Sequence, residues 1–322
     1  QGFEAKVETH NALEAFLGAI PGHGAENVRK PLVSTLNVSD MLPLAREWGG
    51  ERHNPCNFYP ASSPPLLQAH TRQGSAFWLN LHVGDVGHTL ILGPTGAGKS
   101  TLLAMLASQF LRYPKSKVVV FDKGRSMLPL TLARRDGVHF DLGSETSPRL
   151  CPLATLSTPG DLGWAVEWVE GLLELQGVSP SPAQVGAIAD AIRVMADHGT
   201  GAAERSLSHL QAYVQDVEIK QALVYYCAGP GALMLNGDTE ALTYSRFTTF
   251  ELEELMALGP KVTAPSLMFL FREVERRLDG SPMLIILDEA WLAISNPRFA
   301  SKVKEWLKVL RKRNCAVVLA TQ

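Results

Sequence analysis

The feature that most restricts what this chain can fold into is the stretch 88–101, HTLILGPTGAGKST. Residues 89–92 form a short apolar run that reads as a buried strand, 93–98 a glycine-rich turn, and LLAMLASQFL after Ser100 a helix. Strand, turn, lysine, hydroxyl and helix in that register match G-x-x-x-x-G-K-[ST] in the context that gives the pattern meaning. Gly93, Gly96 and Gly98 leave room for backbone N–H groups to turn inward, and Pro94, Thr95, Ala97 and Thr101 complete a cradle at the positive end of the helix. Lys99 supplies a point charge for the β- and γ-phosphates, and Ser100 offers a hydroxyl to Mg²⁺. The pattern implies a nucleoside triphosphate bound with Mg²⁺. A plain glycine-rich turn without a ligand would have to match all five features by accident.

Composition sets bounds around that site. The 322 residues can bury a large core, and a length-based prior gives about two domains. A formal net charge of -2 argues against a dedicated nucleic-acid coat, while leaving room for local basic patches. Apolar runs such as 283–287 are too short to span a bilayer, and nothing resembles a signal peptide. Cys56, Cys151, Cys227 and Cys315 form no C-x-x-C pair and have no histidines at metal-ligand spacing, which fits a reducing cytosol. His82 and His88 flank the first strand and read as structural. The chain begins with Gln1 and stops at Gln322 directly after a strand-like run, so it reads as a portion of something longer.

Taken in order, residues 1–75 are rich in turn formers, with a short helix over 11–19, and read as a lead-in. The alternating run 77–83 is expected to pair with 89–92. KVVVF at 117–121 is continuously apolar, as a parallel strand covered on both faces must be, and 137–142 reads as another strand. Strand, helix and strand with short connections make a βαβ unit and an α/β fold with a mainly parallel sheet. Residues 76–158 are therefore the first portion of the core. Helical periodicity over 164–175, 183–196, 207–226, 251–258 and 266–278, with strand-like runs nearly absent, marks 159–280 as an inserted all-helical subdomain. Residues 281–322 return to the core, with a strand at 283–287, a helix at 299–312 and a strand at 316–320.

In open α/β sheets ligands bind outside the carboxyl ends of the strands, so Asp122, Asp288, Glu289 and Gln322 join the glycine loop as candidates. LIILDE at 284–289 offers Asp288 to Mg²⁺ beside Ser100, and Glu289 to polarise an attacking water. Acids at a strand end also serve as helix caps. Gln322 is placed to meet the γ-phosphate or that water. Arg311 and Arg313, at a helix C-terminus, are candidates for completing catalysis on a neighbouring subunit, held close to the catalytic strand ends; a favourable interaction with the helix dipole is the competing reading.

With these residues assembled, the chain resembles the TrbE/CagE-type conjugal transfer ATPases of type IV secretion, the VirB family. GPTGAGKST (93–101), FDKGRS (121–126), LIILDEAW (284–291) and RKRNCAVVLATQ (311–322) carry the resemblance, and LNLHVGDVGHTLILGP (79–94) looks closest to the TrbE branch. The resemblance implies a RecA-like P-loop NTPase that self-associates as a hexamer or lower oligomer. It also implies work with channel components at the cytoplasmic face of the inner membrane, and hydrolysis of ATP to power pilus assembly and transfer. The competing reading is a hexameric DNA translocase or helicase-type motor in contact with nucleic acid. An ABC-type ATPase is disfavoured because LDGS at 278–281 is no signature motif, and a non-hydrolysing scaffold is disfavoured by Glu289.

Overall fold

The computed structural model describes residues 7–23, 34–41, 48–71, 74–199, 201–239, 242–289 and 297–321. They divide into two units, 1–48 and 49–322. The first contains helices α1 (Ala12–Gly18) and α2 (Thr35–Met41); α1 buries none of its residues, and Leu13 and Phe16 are exposed. The lead-in expected over 1–75 thus ends earlier. Cys56, Tyr59 and Leu66 are buried in one cluster with Phe110 and Tyr113, so 49–75 belongs to the larger unit. Polar bonds hold it there: Arg112 donates to the carbonyls of Pro65 and Leu66, and the Tyr113 hydroxyl donates to Pro64.

In the larger unit, β1 (Leu67–His70) and β2 (Ala76–Leu79) form an antiparallel pair of their own. The pairing of 77–83 with β3 (Thr89–Leu92) does not occur, because residues 83–86 close a turn on themselves between Val83 and Val86. After β3 come α3 (Lys99–Phe110), β4 (Lys117–Asp122), α4 (Leu128–Leu132) and β5 (Gly137–Asp141). A helical run follows: α5 (Pro159–Leu175), α6 (Pro182–His198), α7 (Leu207–Tyr213), α8 (Val217–Cys227) and α9 (Ala232–Leu235). The chain continues through β6 (Phe247–Glu251), α10 (Glu253–Ala257), α11 (Pro260–Arg276), β7 (Met283–Leu287), α12 (Pro297–Arg311) and β8 (Cys315–Thr321). The main sheet has the order β3-β8-β7-β4-β6-β5 and all its paired strands run parallel.

Side chains alternate across the strands with a period of two, and both faces of the central strands are covered. Val118, Val120, Leu284, Ile286 and Val318 point to one face and pack with Leu103, Leu106 and Phe110 of α3. Val119, Phe121, Phe250, Ile285 and Val317 point to the other, against Trp168, Leu270 and Leu310 from α5, α11 and α12. Strand β3 is different. It lies at the sheet's edge, and Leu90 and Leu92 are 58% and 67% exposed, so it is not the buried strand its apolar sequence implies.

The span 159–280 departs from the all-helical expectation at one place. Residues 247–251, FTTFE, form β6, every residue of which is buried between β4 and β5. Two threonines and two phenylalanines suit a pleated, covered strand, whereas helical periodicity in 251–258 drew attention away from them. The expected helix 207–226 is broken at Asp216, which caps α8 by accepting from the Ile219 amide. Capping boxes start α5 (Thr158 with Asp161) and α6 (Ser181 with Gln184), each followed by a proline at the first helical position. Inside α11, Pro265 cannot donate to the Lys261 carbonyl; the Tyr226 hydroxyl donates to it instead at 3.1 Å.

Candidate active site

The glycine loop leaves β3 at its carboxyl end, tied to β8 by the Gly93 amide donating to the Thr321 carbonyl. Gly96 and Gly98 have φ of +80° and +84°, a backbone region that glycine enters without cost, and Gly98 is the residue preceding α3. The first amides of α3 therefore open onto the loop, where Thr95, Gly96, Ala97 and Ser100 are exposed. The Lys99 ammonium donates back to the carbonyls of Gly93 at 2.6 Å and Pro94 at 3.0 Å, which holds its charge over the loop.

Four adjacent strands, β7, β4, β6 and β5, each deliver an acid at their carboxyl end: Asp288, Asp122, Glu251 and Asp141. Two of them, Asp122 and Glu251, are well supplied with donors. Asp122 is buried and accepts from the Ser126 hydroxyl at 2.6 Å and the Met127 amide at 2.7 Å. Glu251, also buried, accepts from the amides of Gly124, Arg125, Leu252 and Glu253 at 2.6–3.1 Å. Asp141 pairs through Oδ2 with the Arg125 guanidinium at 2.7 Å, while its buried Oδ1 has no partner. Asp288 is set apart by its charged surroundings. Desolvation, followed by the charges of Asp122 and Glu289, raises its pKa to about 6; the Glu289 amide and the Lys99 charge oppose the rise. Glu289 itself has φ of +62°, a left-handed conformation that costs a non-glycine residue about 1–2 kcal/mol. Such strain persists where the surroundings impose it, commonly at working sites.

The structure thus brings Lys99, Ser100, Asp288 and Glu289 to one end of the sheet. Gln322, Ala290 and Trp291 lie outside the described residues. Arg311 and Arg313 stand elsewhere. They precede β8, at the end of the sheet where β7 begins, so β8 separates them from their own glycine loop by roughly 20 Å. The expectation that they sit beside the catalytic strand ends is corrected by this polarity. Arg311 instead pairs with Asp85 at 3.1 Å, in the turn before β3. His82 is buried and His88 bonds to the Leu307 carbonyl, both in structural roles.

Glu251 is the residue that sequence reasoning overlooked. Its side chain fixes the backbone of Gly124 and Arg125, and Arg125, like Glu289, is a non-glycine residue at positive φ (+56°). FE at 250–251 repeats the pattern of FD at 121–122 and LD at 287–288, an apolar strand closed by an acid. That repeat is the signal that identifies it.

A parallel sheet with a glycine loop after one strand and an acid pair after another, two places away, defines a P-loop NTPase fold of the RecA-like kind. The comparisons with known proteins narrow this further. A family model described as "Helicase HerA, central domain" matches residues 79–124. The chain is 48% identical over 328 residues to a probable conjugal transfer protein TrbE of Sinorhizobium fredii, covering 100% of this chain and 49% of that protein. It is also 48% identical over 330 residues to the conjugal transfer protein TrbE of Rhizobium radiobacter, covering 100% of this chain and 40% of that protein. Among solved structures, VirB4 of Thermoanaerobacter pseudethanolicus shares the fold, with a TM-score of 0.66 at 18% identity over 82% of this chain and 78% of that one. The chain spans about half or less of the length of the curated relatives it matches. Along its whole length it is similar to the TrbE/VirB4-type proteins of type IV secretion.

Proposed function

We propose that the chain hydrolyses ATP and is the motor portion of a conjugal transfer system of the type IV secretion class, driving pilus or channel assembly and substrate transfer. The observation that carries the reading is Asp288: a desolvated carboxyl crowded by two other carboxylates, in the field of Lys99 and on the strand next to β8. This donor set suits Mg²⁺. The excess negative charge at Asp288 is what a divalent cation would relieve, and the Ser100 hydroxyl supplies a neutral oxygen at the start of α3. Asp288 and Ser100 are the residues that would hold the ion, which when bound neutralises charge on the β- and γ-phosphate oxygens.

The chain's own groups do the rest. The amides of residues 96–101 and the positive end of α3 bind phosphate oxygens, and Lys99 exchanges its contacts with the Gly93 and Pro94 carbonyls for the β- and γ-phosphates. Glu289 orients the attacking water and accepts its proton, a contribution of about 10²–10⁴ in rate. Asp122 and Glu251 hold the 122–126 loop beside the site. Gln322 is assigned to the γ-phosphate or the attacking water. Arg311 and Arg313, too far from their own loop, are assigned to the site of a neighbouring subunit in a hexamer or lower oligomer. Association with channel components at the inner membrane is part of the same proposal, supported by relatives named for conjugal transfer and type IV secretion; among the described residues no helix is long and apolar enough to cross a membrane.

The HerA match favours a second reading, a DNA-translocating motor, although residues 79–124 cover only the loop and strands that both readings share. One assay separates these readings: steady-state ATP hydrolysis by the purified chain, with and without single- and double-stranded DNA. Hydrolysis that requires Lys99 and is indifferent to DNA supports the secretion motor. Strong stimulation by DNA favours the translocase, and hydrolysis unaffected by Lys99→Ala rejects both.

A further inference from the structure

A second concave site shares no residue with the glycine loop or with the acids at the strand ends. Residues of the 149–155 segment and of the C-terminal turns of α11 line a cavity of about 40 Å³. One water needs roughly 10–15 Å³ of such space, so the cavity has room for a small polyatomic ion. Its floor is apolar, with Leu150 and Phe269 both buried. Hydrogen bonds fix the segment in advance: the Leu150 amide donates to the Met234 carbonyl at 2.7 Å, and the Gly237 amide donates to the Leu150 carbonyl at 2.8 Å. Arg205 donates to the Ala154 carbonyl at 2.9 Å.

Three guanidiniums, those of Arg149, Arg276 and Arg277, line this cavity against one carboxylate, Glu273. That carboxylate is already divided between two of them, at 2.6 Å from Arg277 and 3.4 Å from Arg276. Asp161, whose charge Arg276 also feels, is itself paired with Arg272 at 3.1 Å. The Arg149 side chain is exposed and has no hydrogen-bond or ion-pair partner among the described residues. The Arg277 guanidinium carbon stands 3.7 Å from the centroid of the Tyr244 ring. Only its Nη1 donates hydrogen bonds, to the carbonyl and carboxylate of Glu273, so further donors remain at its edge. Cations at a helix C-terminus also answer the helix dipole. That accounts for Arg276 and Arg277 at the end of α11, but not for Arg149, which comes from a separate segment.

We propose that this cavity binds a phosphate group. Three guanidiniums against one carboxylate leave a surplus of two positive charges. A phosphate monoester carries about −1.5 to −2 at neutral pH and matches that surplus, whereas a carboxylate brings a single charge. The planar guanidinium fork donates two N–H groups to one phosphate in charge-assisted bonds. An apolar floor lowers the local dielectric and strengthens each of these contacts. Because the 149–155 segment is held before any ligand arrives, little ordering is left for binding to offset. A free phosphate ion and a phosphate carried on a larger molecule present the same chemistry to the three arginines. The inference does not depend on ATP hydrolysis.

The test titrates the purified chain with inorganic phosphate and, separately, with glycerol 3-phosphate, at an ionic strength held constant with sodium chloride. Arginine side-chain resonances are followed by NMR, with Arg149 and Arg276 assigned from Arg149→Gln and Arg276→Gln. The expected result is a saturable shift of both resonances in the millimolar range. In Arg149→Gln, an exposed position that leaves the core untouched, the Arg276 resonance should report binding at least about tenfold weaker, the size of one lost charge-assisted contact. Lys99→Ala should leave the titration unchanged, which separates this site from phosphate held at the glycine loop. Tighter binding of glycerol 3-phosphate supports a phosphate carried on a larger molecule, and tighter binding of inorganic phosphate supports the free ion. Resonances that neither phosphate moves further than chloride does, up to about 50 mM, overturn the proposal. Binding that survives Arg149→Gln undiminished, or that disappears in Lys99→Ala, overturns it as well.

Discussion

Asp288 and Glu251 close strands that flank the same neighbour, β4, and face the same end of the sheet, yet their surroundings are opposite. Glu251 is buried and accepts from four backbone amides, so its charge is spread over bonds fixed by the fold. Asp288 sits among carboxylates and its pKa is raised to about 6. A buried carboxylate with its lone pairs filled is a structural anchor, while one left short of donors needs a positive charge from outside. The difference separates the half of the edge that holds the 122–126 loop in place from the half to which we assign the work on a phosphate.

The largest expected effects fall on activity. Lys99→Ala should abolish ATP hydrolysis by removing the charge over the glycine loop. Glu289→Gln should lower the steady-state rate by about 10²–10⁴ while nucleotide still binds, which filter binding and a phosphate-release assay would read together. The comparison breaks if Glu289→Gln turns over normally while a folded Glu251→Gln does not.

Next comes stability. Glu251→Gln leaves one oxygen to accept but turns an NH₂ group toward an amide it formerly bonded. Urea unfolding should register a loss of about 2–4 kcal/mol, the range for a broken buried charged network. A loss under about 0.5 kcal/mol would place Glu251 among ordinary surface residues.

Much of this was legible in the sequence, for reasons that differ by residue. The glycine loop, β4 and β7 are local: their residue types dictate both conformation and position, and the structure places them as read. β6 was hidden because a five-residue strand amid helical periodicity gains its identity only from β4 and β5 on either side. Edge or interior position is likewise nonlocal, so TLIL at β3 read as buried although it has a partner on one side alone. The placement of Arg311 and Arg313 needed strand polarity. Once β8 is known to run parallel to β3, they must lie at the far end.

Desolvation acts on His82 in the opposite direction, because its charged form is a cation. Burial lowers its pKa to about 4, with the nearby His88 adding to the effect. The folded state then excludes a proton that the unfolded chain binds, so the stability this group supports is complete above its unfolded pKa near 6.5 and is lost as pH falls through 4. Asp288, raised rather than lowered, contributes in the reverse sense, losing stability as pH rises from about 4 to 6. The two slopes oppose each other, so the informative quantity is the difference between wild type and His82→Gln. That difference should vary by on the order of 2–3 kcal/mol between pH 4 and 7. A flat difference would mean that His82 titrates normally.

The smallest effect in energy tests the central claim most directly. Asp288→Asn removes the crowded charge and keeps the shape of the side chain. Measured by urea unfolding at pH 7 without nucleotide or divalent cation, the variant should be as stable as wild type or more stable by up to about 1 kcal/mol, allowing for its partial exposure. The same preparation should have lost ATP hydrolysis. A fall in stability comparable to that of Glu251→Gln, or hydrolysis that survives the substitution, would contradict the assignment of Asp288 as the acid held ready for a cation.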